Sequence, residues 1–206
     1  YLGTEFSESE VKESIDRSGL AYKRINDIEK EIAELLSKEK IVAIYNGRME
    51  FGPRALGNRS ILYKPTDRTV NDWLNVRLKR SEFMPFAPII IKGESNKCFL
   101  DTNGADHTAQ FMTITFNCTE WMNKNCPAVV HVDGTARPQL LTESMNPYCF
   151  KILCEFEKLT RIPVLVNTSF NIHEEPIVST PDDAIRAFTQ SNLDYLAMGK
   201  YLVTSK

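Results

Sequence analysis

Ile41-Val42-Ala43-Ile44-Tyr45 leads without a break into Asn46-Gly47-Arg48-Met49-Glu50-Phe51-Gly52-Pro53-Arg54-Ala55-Leu56-Gly57-Asn58-Arg59-Ser60. The first five residues are apolar, short and partly β-branched, which reads as a buried strand. The polar run from Asn46 cannot continue it. Three glycines and three arginines between residues 46 and 60 spell a loop whose backbone can approach a ligand closely, while guanidinium forks offer paired donors to phosphate oxygens. The Gly-Lys-Ser/Thr ending of a P-loop is absent. A tight turn whose arginines pair at the surface has the same composition, and spacing does not separate the two.

Upstream, Ile28, Ile32, Leu35 and Leu36 fall at helical spacing, so a helix feeds the strand. Residues 1–24 are polar and acid-rich, and read as a linker with a short helix near Ser7 to Ser18 that stops at Gly19. Downstream, a helix is expected over Asp67 to Leu78 with Asp67 as its cap, and strands at Pro88 to Lys92, Gln110 to Phe116, Ala128 to Asp133 and Pro163 to Asn167. Further helices are expected from Pro147 to Leu159 and from Thr180-Pro181-Asp182-Asp183, where a threonine cap, a first-turn proline and two acids agree. Several strands succeed one another with no helix between them. The expected fold is therefore α/β (α+β), a mixed rather than purely parallel sheet, in one domain over residues 25–206.

The composition bounds the function. With 206 residues, 42% hydrophobic and 25% charged, the chain suits one globular domain. Apolar runs such as Ala87 to Ile91 fall far short of the roughly 20 residues of a membrane span. A net charge of -2 argues against nucleic acid, yet residues 46–90 carry 8 basic against 4 acidic side chains, which suits a small anion. Five cysteines without CxxC spacing read as reduced core thiols of a cytoplasmic protein. His107, His131 and His173 are too scattered for a metal site. With no initiating Met and no leader, the chain reads as part of a longer polypeptide.

Three more segments present polar groups. Arg77-Leu78-Lys79-Arg80 places three cations before Phe83-Met84-Pro85-Phe86-Ala87-Pro88, although cations at a helix end are favourable on dipole grounds alone. His131-Val132-Asp133-Gly134-Thr135-Ala136-Arg137-Pro138-Gln139 displays Asp, Thr and Arg together, and Asp-Gly is equally a turn dipeptide. Asn167-Thr168-Ser169-Phe170-Asn171 ends an apolar strand with groups suited to a phosphate or a planar amide, or to a simple turn. Polar turns after Tyr45, at Asp133 and at Asn167 are expected on one side of the sheet.

Together these segments resemble the C-terminal domain of the NodU/CmcH carbamoyltransferase family, through Gly47 to Ser60, Phe83 to Pro88, His131 to Gln139, and Asn167 to Asn171 with Glu175-Pro176-Ile177-Val178. The resemblance implies a YrdC-like twisted mixed sheet flanked by helices. It also implies binding of ATP with Mg2+ and of carbamoyl phosphate, to form carbamoyl-adenylate. An upstream actin-like ATPase-fold domain of the same polypeptide would then transfer the carbamoyl group to a hydroxyl of a sugar or natural product. On that reading Arg54, Lys79, Arg80, Arg137, Asn167 and Ser169 serve the chemistry, and Arg48, Gly52, Arg54, Arg59, Arg137, Thr168 and Ser169 bind the nucleotide. Met84 stands where many members have an arginine, and Arg77, Lys79 or Arg80 would then supply that charge. The competing reading is a non-catalytic module that binds a nucleotide or RNA.

Overall fold

The computed structural model describes residues 1–78, 85–172 and 175–205. In chain order the elements are α1 (Glu8–Ser18), β1 (Ala21–Arg24), α2 (Ile28–Ser37), β2 (Val42–Tyr45), β3 (Arg59–Tyr63), α3 (Val70–Arg77), β4 (Ala87–Ile91) and α4 (Ser95–Cys98). They continue with β5 (Phe116–Asn117), α5 (Glu120–Asn125), β6 (Thr135–Ala136), β7 (Gln139–Leu141), α6 (Pro147–Thr160), β8 (Val164–Ser169), α7 (Pro181–Ser191), β9 (Tyr195–Met198) and β10 (Tyr201–Thr204). Eight strands form one sheet in the order β1-β10-β9-β2-β3-β8-β4-β7, and β5 pairs separately with β6. The β2–β9 and β4–β7 pairs are parallel and the other neighbours antiparallel, so the sheet is mixed as expected.

Alternation along the central strands builds two cores. Val42 and Ile44 face the layer of α2 and α6 with Ile32, Leu36, Ile152 and Phe156. Ala43 and Tyr45 face the opposite layer with Val11, Ile15, Leu74 and Phe188. Period-two exposure to opposite faces requires this when a strand is covered on both sides. The helices end where their chemistry says they should. Ser7 and Glu10 form a capping box on α1, Gly19 closes it at φ 66°, and Thr180 with Asp183 repeats the box on α7. Asn146 caps α6 by accepting from Cys149 N–H.

Four expectations need correction. Residues 1–24 are not merely a linker, because α1 buries Val11 and Ile15 in the core and β1 pairs with β10 at the sheet edge. Gln110 to Phe116 is not a strand: Thr108–Phe111 is a 3-10 turn, Met112 turns left-handed at φ 55°, and pairing begins only at Phe116. Nor is Ala128 to Asp133, since Pro127 opens a 3-10 turn and pairing resumes at Thr135. Asp67 does not cap α3 directly. It accepts from the Thr69 N–H and hydroxyl and from Trp73 Nε1, shaping the turn before the helix. All five cysteines are free, and burial pushes the Cys98 and Cys149 thiols up to about 12, which keeps both protonated.

The sheet register gathers the functional segments at one end. Tyr45 lies opposite Arg59, Ser60 opposite Ser169, Ala87 opposite Asn167, and Ile89 opposite Gln139. The exits of β2 and β8 and the entries of β3, β4 and β7 therefore share one edge of the domain. If α1 belongs to the fold, Ile15→Ala, at a site with no exposed surface, will cost about 2–5 kcal/mol in urea unfolding. A linker residue would change stability by less than about 0.5 kcal/mol.

Candidate anion-binding site

Between β2 and β3 the chain runs through residues 46–58 without regular structure, so its backbone groups need partners from elsewhere. The Glu50 carboxylate supplies several. Its Oε1 accepts from the N–H groups of Leu56 at 2.7 Å, Asn58 at 2.7 Å and Arg59 at 3.2 Å. The residue is only 3% exposed, and Oε2 has no hydrogen-bond partner among the described residues. From the sheet side, Ser169 Oγ accepts from Ala55 N–H at 3.2 Å, Gln139 Nε2 donates to Leu56 carbonyl at 2.9 Å, and Asn167 Nδ2 donates to Gln139 Oε1 at 2.9 Å. Asn58 is held by Asn146 Nδ2 at 2.8 Å, and its own Nδ2 donates to Arg48 carbonyl. The loop is thus tied to β7, β8 and α6.

Gly57 is required where it stands. Its φ is 111°, and a Cβ there would meet Asn146 Nδ2 at 3.0 Å and Cys149 at 3.2 Å. Gly52, at φ 145°, also occupies backbone space that other residues rarely enter, at the outer bend of the loop. Clefts of about 650 Å³ (Tyr1, Asn58, Asn146, Tyr148) and 310 Å³ (Leu2, Glu50, Phe51, Phe111, Gln139) border the loop.

The arginines that looked alike in the sequence have different surroundings. Arg59 is fully buried. Its Nη atoms donate to the carbonyls of Asn46, Asn58 and Gly47 at 2.9, 3.0 and 3.1 Å, and its guanidinium lies over the Tyr45 ring at 3.7 Å. It holds the loop together instead of facing solvent. Arg48 pairs with exposed Glu5 at 3.0 Å, a contact of the kind worth little. Arg77 donates to Asn192 carbonyl and covers Trp73. Asn192 precedes Asp194, which binds Ile41 N–H at the start of β2, so Arg77 lies at the opposite end of the sheet from the segments of Arg54 and Arg137. Lys79 and Arg80 lie outside the described residues.

Arg54 and Arg137 remain. Both are half-buried, and neither has an ion pair or a hydrogen bond among the described residues; Arg137 Nε is buried without a partner there. Burial, and then the charge of Arg54, hold the Arg137 guanidinium below its usual range. Two cations close enough to repel, in partly desolvated positions, are an arrangement that an anion would stabilise. Arg54 adjoins Ala55, which is bonded to Ser169, and Arg137 stands two residues before Gln139, which is bonded to Asn167. Four of the sequence candidates therefore share one knot, with Thr168 between two of them. The preceding turn is a hairpin in which Asp133 accepts from Thr135 N–H and hydroxyl, while His131 Nδ1 meets Thr135 Oγ1 at 3.0 Å. Glu50 and Gln139 were absent from the sequence candidates. Both act on main-chain atoms of the loop, which leave no trace in residue spacing.

This α/β fold is shared with solved structures. Full-length HypF, crystallised in a phosphate- and nucleotide-bound form, aligns with a TM-score of 0.60 at 20% identity over 84% of this chain and 25% of its own. The family model described as the carbamoyltransferase C-terminus matches residues 33–205, and the chain belongs to that family. An uncharacterized protein of Methanocaldococcus jannaschii is 39% identical over the whole chain and 34% of its own length. Nodulation protein NolNO of Sinorhizobium fredii is 37% identical over 91% of the chain and 28% of its own length. Nodulation protein U of Rhizobium tropici is 42% identical over 69% of the chain and 24% of its own length. The chain spans about a third or less of the length of these curated relatives.

The two kinds of arginine are separable by stability. Arg59→Ala removes three hydrogen bonds to loop carbonyls and empties a fully buried site, and should cost about 2–4 kcal/mol in thermal or urea unfolding. Arg54→Ala removes a repulsion and no bond, so it should lie within about 0.5 kcal/mol of the parent, or slightly above it.

Proposed function

We propose that this chain is the activating half of a carbamoyltransferase, which binds ATP with its Mg2+ and carbamoyl phosphate and forms carbamoyl-adenylate. The observation that carries this reading is the pair of unneutralised guanidinium groups of Arg54 and Arg137 beside Asn167 and Ser169. Water hydrolyses carbamoyl phosphate, adding its oxygen to the leaving phosphate, so that inorganic phosphate departs and a carbamate is left. A carbamate oxygen then attacks the α-phosphorus of ATP, a P–O bond forms, and the bond to the β-phosphate oxygen breaks to release pyrophosphate. Negative charge moves among phosphoryl oxygens throughout. Catalysis of such a step is largely positioning and electrostatic stabilisation, so no nucleophilic side chain is needed. Arg54 and Arg137 would meet that charge, with Lys79 and Arg80 as further candidates. Asn167 and Ser169 would border the reacting group, while Arg59 keeps the loop in shape.

Transfer to a hydroxyl acceptor is assigned to a second domain of the same polypeptide, a reading supported by the greater length of the relatives. Leu2 and Phe51, 79% and 82% exposed, give an apolar surface beside the loop for that domain to cover.

Titration calorimetry with MgATP and with carbamoyl phosphate tests the reading. Arg54→Ala and Arg137→Ala should each weaken binding by about 1.5–3 kcal/mol, the scale of hydrogen bonds to charged groups. With both ligands present the chain should release pyrophosphate slowly and carbamoylate no sugar hydroxyl. Tight, salt-sensitive RNA binding without pyrophosphate release would favour the binding-module reading instead.

A further inference from the structure

We infer that Glu50 is a positioning residue for the anion site: its buried carboxylate, bonded to loop N–H groups, sets where Arg54 stands relative to Arg137. The inference rests on the proposed anion-binding role of those arginines. A carboxylate with 3% exposure and no cation hydrogen-bonded to it among the described residues is costly to bury. Here the cost is offset by the three N–H donors of Leu56, Asn58 and Arg59, which converge on Oε1. The second oxygen, Oε2, is buried without a donor among the described residues. The charge is therefore used on one side only, to gather backbone.

The gathered backbone is the segment that carries Arg54. Leu56, bonded through its N–H to Glu50, is bonded through its carbonyl to Gln139, two residues after Arg137. Ala55, between Leu56 and Arg54, is bonded to Ser169. The path from Glu50 to the arginine pair thus runs through one peptide segment pinned on both sides. Burial holds the guanidinium of Arg59, the other group that closes the loop, below its usual range, and the charge of Glu50 partly offsets that. Together the two buried charges fix the loop segment that carries Arg54, whose charge reaches Arg137.

Glu50→Gln keeps the shape and one carbonyl oxygen but removes the charge, and it places an NH2 group where Oε2 now has no partner. Hydrogen bonds to a neutral acceptor are about half as strong, so the segment should loosen without leaving a cavity. A double-mutant cycle in MgATP calorimetry reads the outcome. Glu50→Gln alone should weaken binding about 10-fold, and Arg54→Ala should weaken it by a similar or larger factor. The double variant should bind within about 2-fold of Arg54→Ala, because Glu50 acts through Arg54; a generally destabilised fold would instead give multiplying losses. Parent-like binding by Glu50→Gln, or losses that multiply, would overturn the role of Glu50 while leaving the anion site intact. Failure of the parent chain to bind MgATP would overturn both. Should Glu50→Gln not fold, amide exchange of the parent decides: the Leu56 and Asn58 N–H groups must be protected both free and with MgATP, and rapid exchange in either state contradicts the inference.

Discussion

The passage from β2 to β3 has to leave and re-enter the middle of a sheet that is covered on both faces, and residues 46–58 make it without helix or strand hydrogen bonds of their own. Every buried N–H and C=O in that stretch must be satisfied by something else. Asn46 N–H bonds the Asn58 carbonyl and Met49 pairs with Gly3 and Thr4, and two buried charges of opposite sign supply further partners. Glu50 takes the N–H groups of the second half, and Arg59 donates to carbonyls of the first half and of Asn58. Once that loop is closed, Gln139, Asn167 and Ser169 can strap it from outside, and Arg54 is held where Arg137 also emerges.

The same constraint separates paired structural charge from charge left without a partner among the described residues. Arg59 opens β3 opposite Tyr45, so its side chain lies against that ring and among loop carbonyls. Arg54 lies five residues earlier in the irregular stretch and has no such neighbours among the described residues. Two half-buried guanidinium groups whose charges oppose one another cost stability, and the bonds around the loop hold the backbone that carries them. A phosphoryl group bound there would recover the electrostatic cost, which is why an unpaired cation pair is more informative than the number of arginines. Membership of the carbamoyltransferase C-terminus family fits a site of this kind.

Much of the fold was legible in the residues. The β2 run, the amphipathic α2 and α6, and the threonine box of α7 each carry a local signal that agrees with the tertiary outcome. In the N-terminal segment the helix and its stop at Gly19 were legible but its place in the fold was not, because α1 buries only Val11, Ser14 and Ile15, and β1, Ala-Tyr-Lys-Arg, is polar. Its place in the sheet depends on β10, paired from Ala21 to Thr204 across nearly the whole chain. Gln110 to Phe116 alternates like a strand, yet Met112 turns left-handed and Phe111 remains exposed. At the site, Arg54, Arg137, Asn167 and Ser169 were readable from the polar segments that hold them, although the apolar strand expected before Arg137 is a 3-10 turn. Which arginine would be buried was not readable, since that depends on register with Tyr45.

The most direct test of the arginine pair as a phosphoryl site is a crystal structure of the chain with a non-hydrolysable MgATP analogue and carbamoyl phosphate. Phosphoryl oxygens should lie within hydrogen-bond distance of both Arg54 and Arg137, with Glu50 still bonded to the Leu56 and Asn58 N–H groups. Phosphoryl groups bound elsewhere, such as in the cleft beside Tyr148, with Arg54 and Arg137 unliganded, would contradict that assignment.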